Sequence, residues 1–172
     1  MVKEQEMKKL VAFYSRADEN YFGGQYRYIE VGNTEKVANM IIEITGGDRF
    51  KIEEKTPYSK NYQECVKEVM QDLQNQARPA LINDIDISGY DAIYLGYPNY
   101  CGKMPMAVYT FLESHDFGGK VIHPFCTHEG SGIAGTIKDI SKVAKGVSVD
   151  EGLAINGSRV DSARSNIEKW VK

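Results

Sequence analysis

The chain has 172 residues, of which 42% are hydrophobic and 26% charged, and a formal net charge of −3. Those figures suit one soluble domain with a sizeable core, and they give no footing for nucleic acid or an anionic membrane as a partner. The three cysteines, Cys65, Cys101 and Cys126, are widely spaced and odd in number, which fits neither a disulfide framework nor a Cys/His metal site. No apolar run approaches a bilayer-spanning length, and Met1 to Glu6 lacks the apolar core of a signal peptide, so a reducing cytoplasm is the expected location.

Residues 8–15 form an apolar run that ends in Ser15-Arg16 and reads as a short buried strand. The segment from Ala17 to Glu30 carries Tyr21, Phe22, Tyr26 and Tyr28 around a Gly23-Gly24 break and has no helical period. It reads as a loop or small hairpin inserted in the first strand–helix connection. Such connections are usually about 2–6 residues long, so it is either a lid over a pocket or a surface elaboration. A helix starts at Thr34, carries Val37, Ile41 and Ile44 at helical spacing, and ends at Gly46-Gly47. Residues 49–54 alternate as a strand near a sheet edge does. After the turn at Thr56-Pro57-Tyr58, a helix over 62–76 is predicted to bury Val66, Val69, Met70 and Leu73.

Residues 80–88 show no period. Asp91 to Tyr97 is a buried strand closed by Pro98, and a helix from Met106 to Glu113 follows Pro105. A fourth strand covers Lys120 to Thr127. The glycine-rich stretch His128-Glu129-Gly130-Ser131-Gly132 precedes a helix with Ile137, Ile140 and Val143. Residues 147–154 supply a fifth strand, and Asp161 is expected to cap a last helix through Ala163, Ile167 and Trp170. Strict strand–helix alternation requires right-handed crossovers and a parallel sheet covered on both faces. In such sheets ligands bind beyond the carboxyl ends of the strands. The loops 15–34, 98–105 and 127–132 should therefore converge.

Each loop has a chemical reading and a plainer one. In the first, Ser15, Asn33 and Thr34 offer donors at a helix N-terminus and Arg16 offers charge, which suits a phosphate; Asn33 and Thr34 also suit an ordinary helix cap. In the second, Tyr100 can stack on a flat heterocycle, while Gly102 allows close backbone approach or a change of peptide orientation; the plainer reading is a loop with an exposed tyrosine. In the third, backbone N–H groups can bond a ring's polar edge, or the glycines serve only to turn the chain. Phosphate donors at one end and a planar-ring surface at the other describe a mononucleotide site. Cys101 reads as a small pocket wall and Cys126 as core. His128-Glu129 reads as loop contacts to a ring rather than an acid/base pair, so no catalytic residue and no metal ligand is assigned.

The stretches Phe13-Tyr14-Ser15-Arg16, Gly32-Asn33-Thr34, Leu95-Gly96-Tyr97-Pro98-Asn99, Gly102-Lys103-Met104-Pro105 and Phe125 to Gly132 occur in the order seen in flavodoxins. The chain resembles that family, and within it the group with Ser-Arg and a delayed Gly-Asn-Thr. The resemblance spans nearly the whole chain. It implies a single flavodoxin-like domain over 1–172 with an insert at 17–30. The implied architecture is three-layer α/β/α, built on a five-stranded parallel sheet of order 2-1-3-4-5, with non-covalent FMN as cofactor.

The resemblance also distributes the site residues. Ser15, Arg16, Gly32, Asn33 and Thr34 would lie near the phosphate. Pro98, Asn99, Tyr100, Cys101 and Gly102 would lie along the isoalloxazine, with Thr127, His128, Glu129, Gly130, Ser131 and Gly132 on its other side. Two departures stand out. Val31 stands where familiar flavodoxins have the first threonine of Thr-Gly-Asn-Thr, and Tyr100-Cys101 stands where many relatives carry a tryptophan pair. The functions implied are an FMN-dependent electron carrier or, alternatively, an NAD(P)H-dependent FMN-linked reductase of quinones or flavins; a fold that binds no flavin is the third reading. Redox proteins or a small-molecule electron acceptor would be the partners, and the protein a monomer or weak dimer.

Overall fold

A computed structural model of the chain describes residues 7–171. The termini, including the Met1 to Glu6 stretch read for a signal peptide, lie outside the described residues. The elements are β1 (Lys9–Phe13), β2 (Asp18–Phe22), β3 (Gln25–Ile29), α1 (Asn33–Thr45), β4 (Asp48–Lys51) and α2 (Tyr62–Gln74). They continue with β5 (Ala92–Pro98), α3 (Met106–Glu113), β6 (Val121–His128), α4 (Thr136–Val143), β7 (Ser148–Val149), β8 (Leu153–Asn156), a 3-10 turn (Gly157–Ser162) and α5 (Arg164–Trp170).

The central sheet runs β4-β1-β5-β6-β7, with β8 also paired to β6, and every pairing in it is parallel. With the separate β2–β3 hairpin set aside, this is the predicted 2-1-3-4-5 order, its fifth position filled by two short strands. Burial on both faces explains the apolar runs of the inner strands. From β1, Leu10 and Ala12 enter one core with α3 and α4, while Val11 and Phe13 enter the other with α1 and α5.

The fifth strand was expected unbroken over 147–154, and the structure divides it. Ile122 pairs with Val149 and Phe125 with Leu153, so β6 spends one residue fewer than its neighbour between the two pairings. The extra residue bulges out opposite Pro124, which has no N–H to give the ladder. Asp150 Oδ1 accepts from the Gly152 N–H at 2.7 Å and holds the bend.

Other boundaries also differ from expectation. The second strand covers Asp48–Lys51 rather than 49–54, because Glu54 turns away to an antiparallel bridge with Leu81. The helix predicted over 62–76 stops at Gln74, and Met70 is 50% exposed rather than buried. Asp161 does not cap the last helix. Asn156 caps the preceding 3-10 turn through a 2.9 Å bond from the Ser158 N–H, and Asp161 pairs with Lys36 at 3.3 Å. The insert is a regular antiparallel hairpin with Asp18 opposite Ile29 and Phe22 opposite Gln25.

Candidate functional site

β1 delivers its chain end to the rim of the sheet, where the helix α1 begins. Gly32, not Asn33 or Thr34, is the cap residue, and Ser15 Oγ accepts the Glu35 N–H at 3.0 Å. A Cβ on Gly32 would lie 2.2 Å from Ser15 Oγ and 2.6 Å from the Arg16 carbonyl, so only glycine fits this crossing. Asn33 and Thr34 occupy the first turn of α1, where backbone N–H groups lack intrahelical partners and the helix dipole is positive. The buried Thr34 hydroxyl lies 2.7 Å from that of Thr127, at the carboxyl end of β6. In such a pair one hydroxyl donates to the other, and the second keeps its own hydrogen for another acceptor.

Arg16 is placed differently from a free phosphate-binding cation. Its guanidinium donates to the carbonyls of Glu19, Ser59 and Lys60, which ties the root of the hairpin to the chain just before α2. Glu19 adds a second tie by accepting the Tyr62 N–H at 2.9 Å. At its tip the hairpin reaches across to the third loop, where the Gly23 N–H donates to Glu129 Oε2 at 3.3 Å. The insert therefore bridges α2 and the third loop, as a lid would, instead of standing off as an elaboration.

In the second loop, Asn99 does three things. Its N–H donates to the Thr127 carbonyl, its Nδ2 to the Gly132 carbonyl, and its Oδ1 accepts the Gly102 N–H, all at 2.9 Å. Loops two and three are thus locked together. Tyr100 and Lys103 exchange two backbone bonds across Cys101 and Gly102, whose φ angles are +54° and +83°. Two successive left-handed residues make a tight primed turn, which glycine enters freely and cysteine only at a cost. Tyr100 is not an exposed loop tyrosine. Its ring meets Tyr14 edge-on with centroids 6.0 Å apart, and its hydroxyl is buried.

In the third loop, His128 Nδ1 accepts the Gly130 N–H at 2.9 Å, while the Glu129 carboxylate accepts from Ser158 Oγ at 3.1 Å as well as from Gly23. Both side chains are engaged in loop contacts and form no acid/base pair with each other. Gly157 has no room for a side chain: a Cβ would lie 2.6 Å from both Asn33 Nδ2 and Glu129 Oε1.

These elements enclose a cavity of about 390 Å³, a size within the usual range for small-ligand sites. Of the residues singled out from the sequence, Arg16, Asn33, Thr34, Pro98, Asn99, Tyr100, Cys101, Gly102, Thr127, His128, Glu129 and Ser131 line it. Ser15, Gly32, Gly130 and Gly132 do not; they shape the surrounding backbone. Asn20, Tyr21, Tyr62, Cys65, Val66, Val69 and Gly157 also line it; of these, Tyr21 was expected in a possible lid and Val66 and Val69 in the core, and none as a cofactor contact. Burial pushes the Cys65 thiol up and that of Cys126 up to about 12, so neither is a ready thiolate. Among the described residues no cluster could hold a metal ion, and no helix is long and apolar enough to cross a membrane.

A sequence-family model described as flavodoxin matches residues 25–172. The chain belongs to the flavodoxin family. Solved structures agree with this. A Bacteroides uniformis protein assigned as a flavoprotein is 25% identical with a TM-score of 0.77, over 97% of this flavodoxin and 99% of that chain. A Lactobacillus acidophilus flavoprotein in complex with FMN shares the fold at 20% identity and a TM-score of 0.65, over 96% and 99% of the two chains. A Fusobacterium nucleatum flavodoxin bound to flavin mononucleotide does so at 16% identity and 0.55, over 96% and 95%. No curated protein matches the flavodoxin in a sequence comparison.

Proposed function

We propose that this flavodoxin binds FMN in the 390 Å³ cavity and serves as an electron carrier. The observation that carries the cofactor assignment is the donor set at the start of α1. There the buried Thr34–Thr127 hydroxyl pair, at 2.7 Å, sits beside the first turn of a helix. Neutral donors and a helix dipole suit a phosphate monoester, and the locked second and third loops supply a cleft of suitable shape for its rings. Arg16 is held by carbonyls, so the phosphate end relies on hydroxyls and N–H groups in place of a cation.

FMN, when bound, supplies the redox chemistry. The chain's residues then have binding and tuning roles. Thr34, Thr127 and the first turn of α1 would orient the phosphate, Tyr100 would wall off solvent, and the Cys101-Gly102 peptide would donate or accept at the ring edge. His128 and Glu129 are committed to loop contacts, so no paired acid and base is available for substrate chemistry, which favours carrier over enzyme.

The NAD(P)H-dependent quinone or flavin reductase is supported by one feature. Tyr21, Tyr26 and Tyr62 cluster with ring centroids 5.3–6.1 Å apart, and Tyr21 and Tyr62 also line the cavity. That aromatic surface suits a second flat molecule. The purified FMN-loaded protein, mixed with NADH or NADPH and a quinone, separates the two readings. No nicotinamide consumption is expected of a carrier, and steady consumption would establish the reductase.

A further inference from the structure

Behind the inner wall of the cavity lies a group of acids and phenols in which, among the described residues, Glu54 is paired with no cation. Glu54 is 8% exposed and held in place by its backbone bridge to Leu81. Its Oε1 accepts from the Tyr14 hydroxyl at 3.0 Å, while its Oε2 has no hydrogen-bond partner among the described residues. Tyr14 follows the last residue of β1 and meets Tyr100 edge-on at 6.0 Å. Tyr100 lines the cavity, and among the described residues its buried hydroxyl makes no hydrogen bond of ordinary geometry. The contacts thus run from Glu54 through Tyr14 to a ring that forms the wall of the flavin pocket.

An ionised carboxylate with one oxygen unpaired is costly to bury, and a neutral carboxyl much less so. Two of the groups facing Glu54, the carboxylates of Glu53 and Asp72, make ionisation worse, and the phenols and the thiol around it, pushed up by burial, stay neutral. Among the described residues the full set facing it is Glu53 beside it, Asp72 and Cys65 from α2, and the phenols of Tyr14, Tyr58 and Tyr100. Arg16, whose charge reaches Tyr100 and Cys65, is already bonded to carbonyls, and among the described residues no lysine or arginine bonds to Glu54. Burial accordingly pushes the Glu54 carboxyl up, against the hydrogen bond from Tyr14, which favours the anion.

We propose that Glu54 is a proton-binding site coupled to the charge held in the pocket, so that reduction of bound FMN draws one proton from solvent onto Glu54. The inference rests on the reading of the cavity as an FMN site. The balance is simple. The electrons come from an external reductant and remain on the flavin. A solvent proton converts the Glu54 carboxylate to the acid, in addition to any proton that the reduced flavin itself takes from solvent. Coupling follows because negative charge gained in the pocket raises the proton affinity of a nearby carboxylate in a low-dielectric setting.

The test is infrared titration of the protonated-carboxyl band in the full-length protein without FMN, with FMN, and with FMN reduced by dithionite. Midpoint potential is measured against pH alongside. In wild type the band should titrate above the ordinary carboxylate range and persist to higher pH on reduction. The potential should fall with pH more steeply in wild type than in Glu54→Gln, which lacks the band. Tyr14→Phe, which removes the bond to the anion and keeps the ring, should move the titration further up. Equal bands in wild type and Glu54→Gln, or equal potential slopes, overturn the proposal; should Glu54→Gln fail to fold, a Tyr14→Phe titration unmoved from wild type overturns it. A chain that binds no FMN overturns both the proposed function and the coupling; one that binds FMN with no change of the Glu54 titration on reduction overturns the coupling alone.

Discussion

The hydroxyls of Thr34 and Thr127, 93 residues apart in sequence, meet at 2.7 Å where the start of α1 crosses the carboxyl end of β6. One contact thereby joins the start of α1 to the third loop, at the end of the pocket proposed to take the phosphate. Thr34→Val and Thr127→Val each remove a buried donor and leave its partner unpaired, a loss of about 1–3 kcal/mol. FMN binding should weaken by roughly 5- to 150-fold in either variant. Titration followed by quenching of flavin fluorescence measures this. Unchanged affinity in both would remove the hydroxyl pair from the phosphate site.

Glu129 is the far anchor of the hairpin, through its bond from the Gly23 N–H. The contact is exposed, so its loss should cost only about 0.5–1.5 kcal/mol locally and leave global stability nearly unchanged. Glu129→Ala should therefore raise hydrogen exchange at Gly23 and its neighbours by up to about tenfold, with the Thr34 and Thr127 amides unaffected. An unaltered Gly23 exchange rate would show that the lid is held from its root alone.

Gly102 sits at φ +83° in the two-residue turn that brings its N–H onto Asn99 Oδ1. A β-branched side chain is strained there whatever the space around it. Gly102→Val should destabilise the fold by about 1–3 kcal/mol and shift the flavin potential, because it moves the peptide proposed to meet the ring edge. Thermal unfolding and spectroelectrochemical titration read the two effects, and equal potentials in both proteins would count against a tuning role for this turn.

Glu54 gives the stability of the fold a pH dependence of definite sign. Its folded titration point is raised by burial. The folded state therefore binds a proton more tightly than the unfolded chain does, and its contribution is complete below the ordinary carboxylate range. As pH rises through the raised value, that contribution is lost. Wild type should lose stability relative to Glu54→Gln across this interval, as read from urea midpoints at successive pH values. A constant difference between the two would mean that Glu54 titrates normally.

The fold was readable because its signal is repeated. Buried strands such as Ala92–Pro98, helix starts after Pro105, and a left-handed Gly46 ending α1 each point to the same alternating plan. The split of the fifth strand was not readable, since it depends on Pro124 lying against Gly152 across the sheet, a contact that periodicity does not reveal. Loop positions in the site were legible from unusual composition. The α2 wall of Tyr62, Cys65, Val66 and Val69 was not, because apolar residues at helical spacing read as core whether they meet another helix or a ligand. Val66 and Val69 were placed on the inner face of that helix, and what the face looks onto emerged only in three dimensions. Arg16 carried a charge signal suited to phosphate, but its reach is spent on the carbonyls at the root of the hairpin. Gly157 left a signal in the Asn156-Gly157 turn, which lay outside the three loops considered.

Adding FMN to the purified full-length protein, with flavin fluorescence followed to saturation, bears most directly on whether a flavin is held at the rim of this sheet. The expected outcome is saturable quenching at one FMN per chain, a yellow protein after removal of free flavin, and marked weakening in Thr34→Val. Quenching that never saturates, or a colourless protein recovered after exposure to excess FMN, would contradict it.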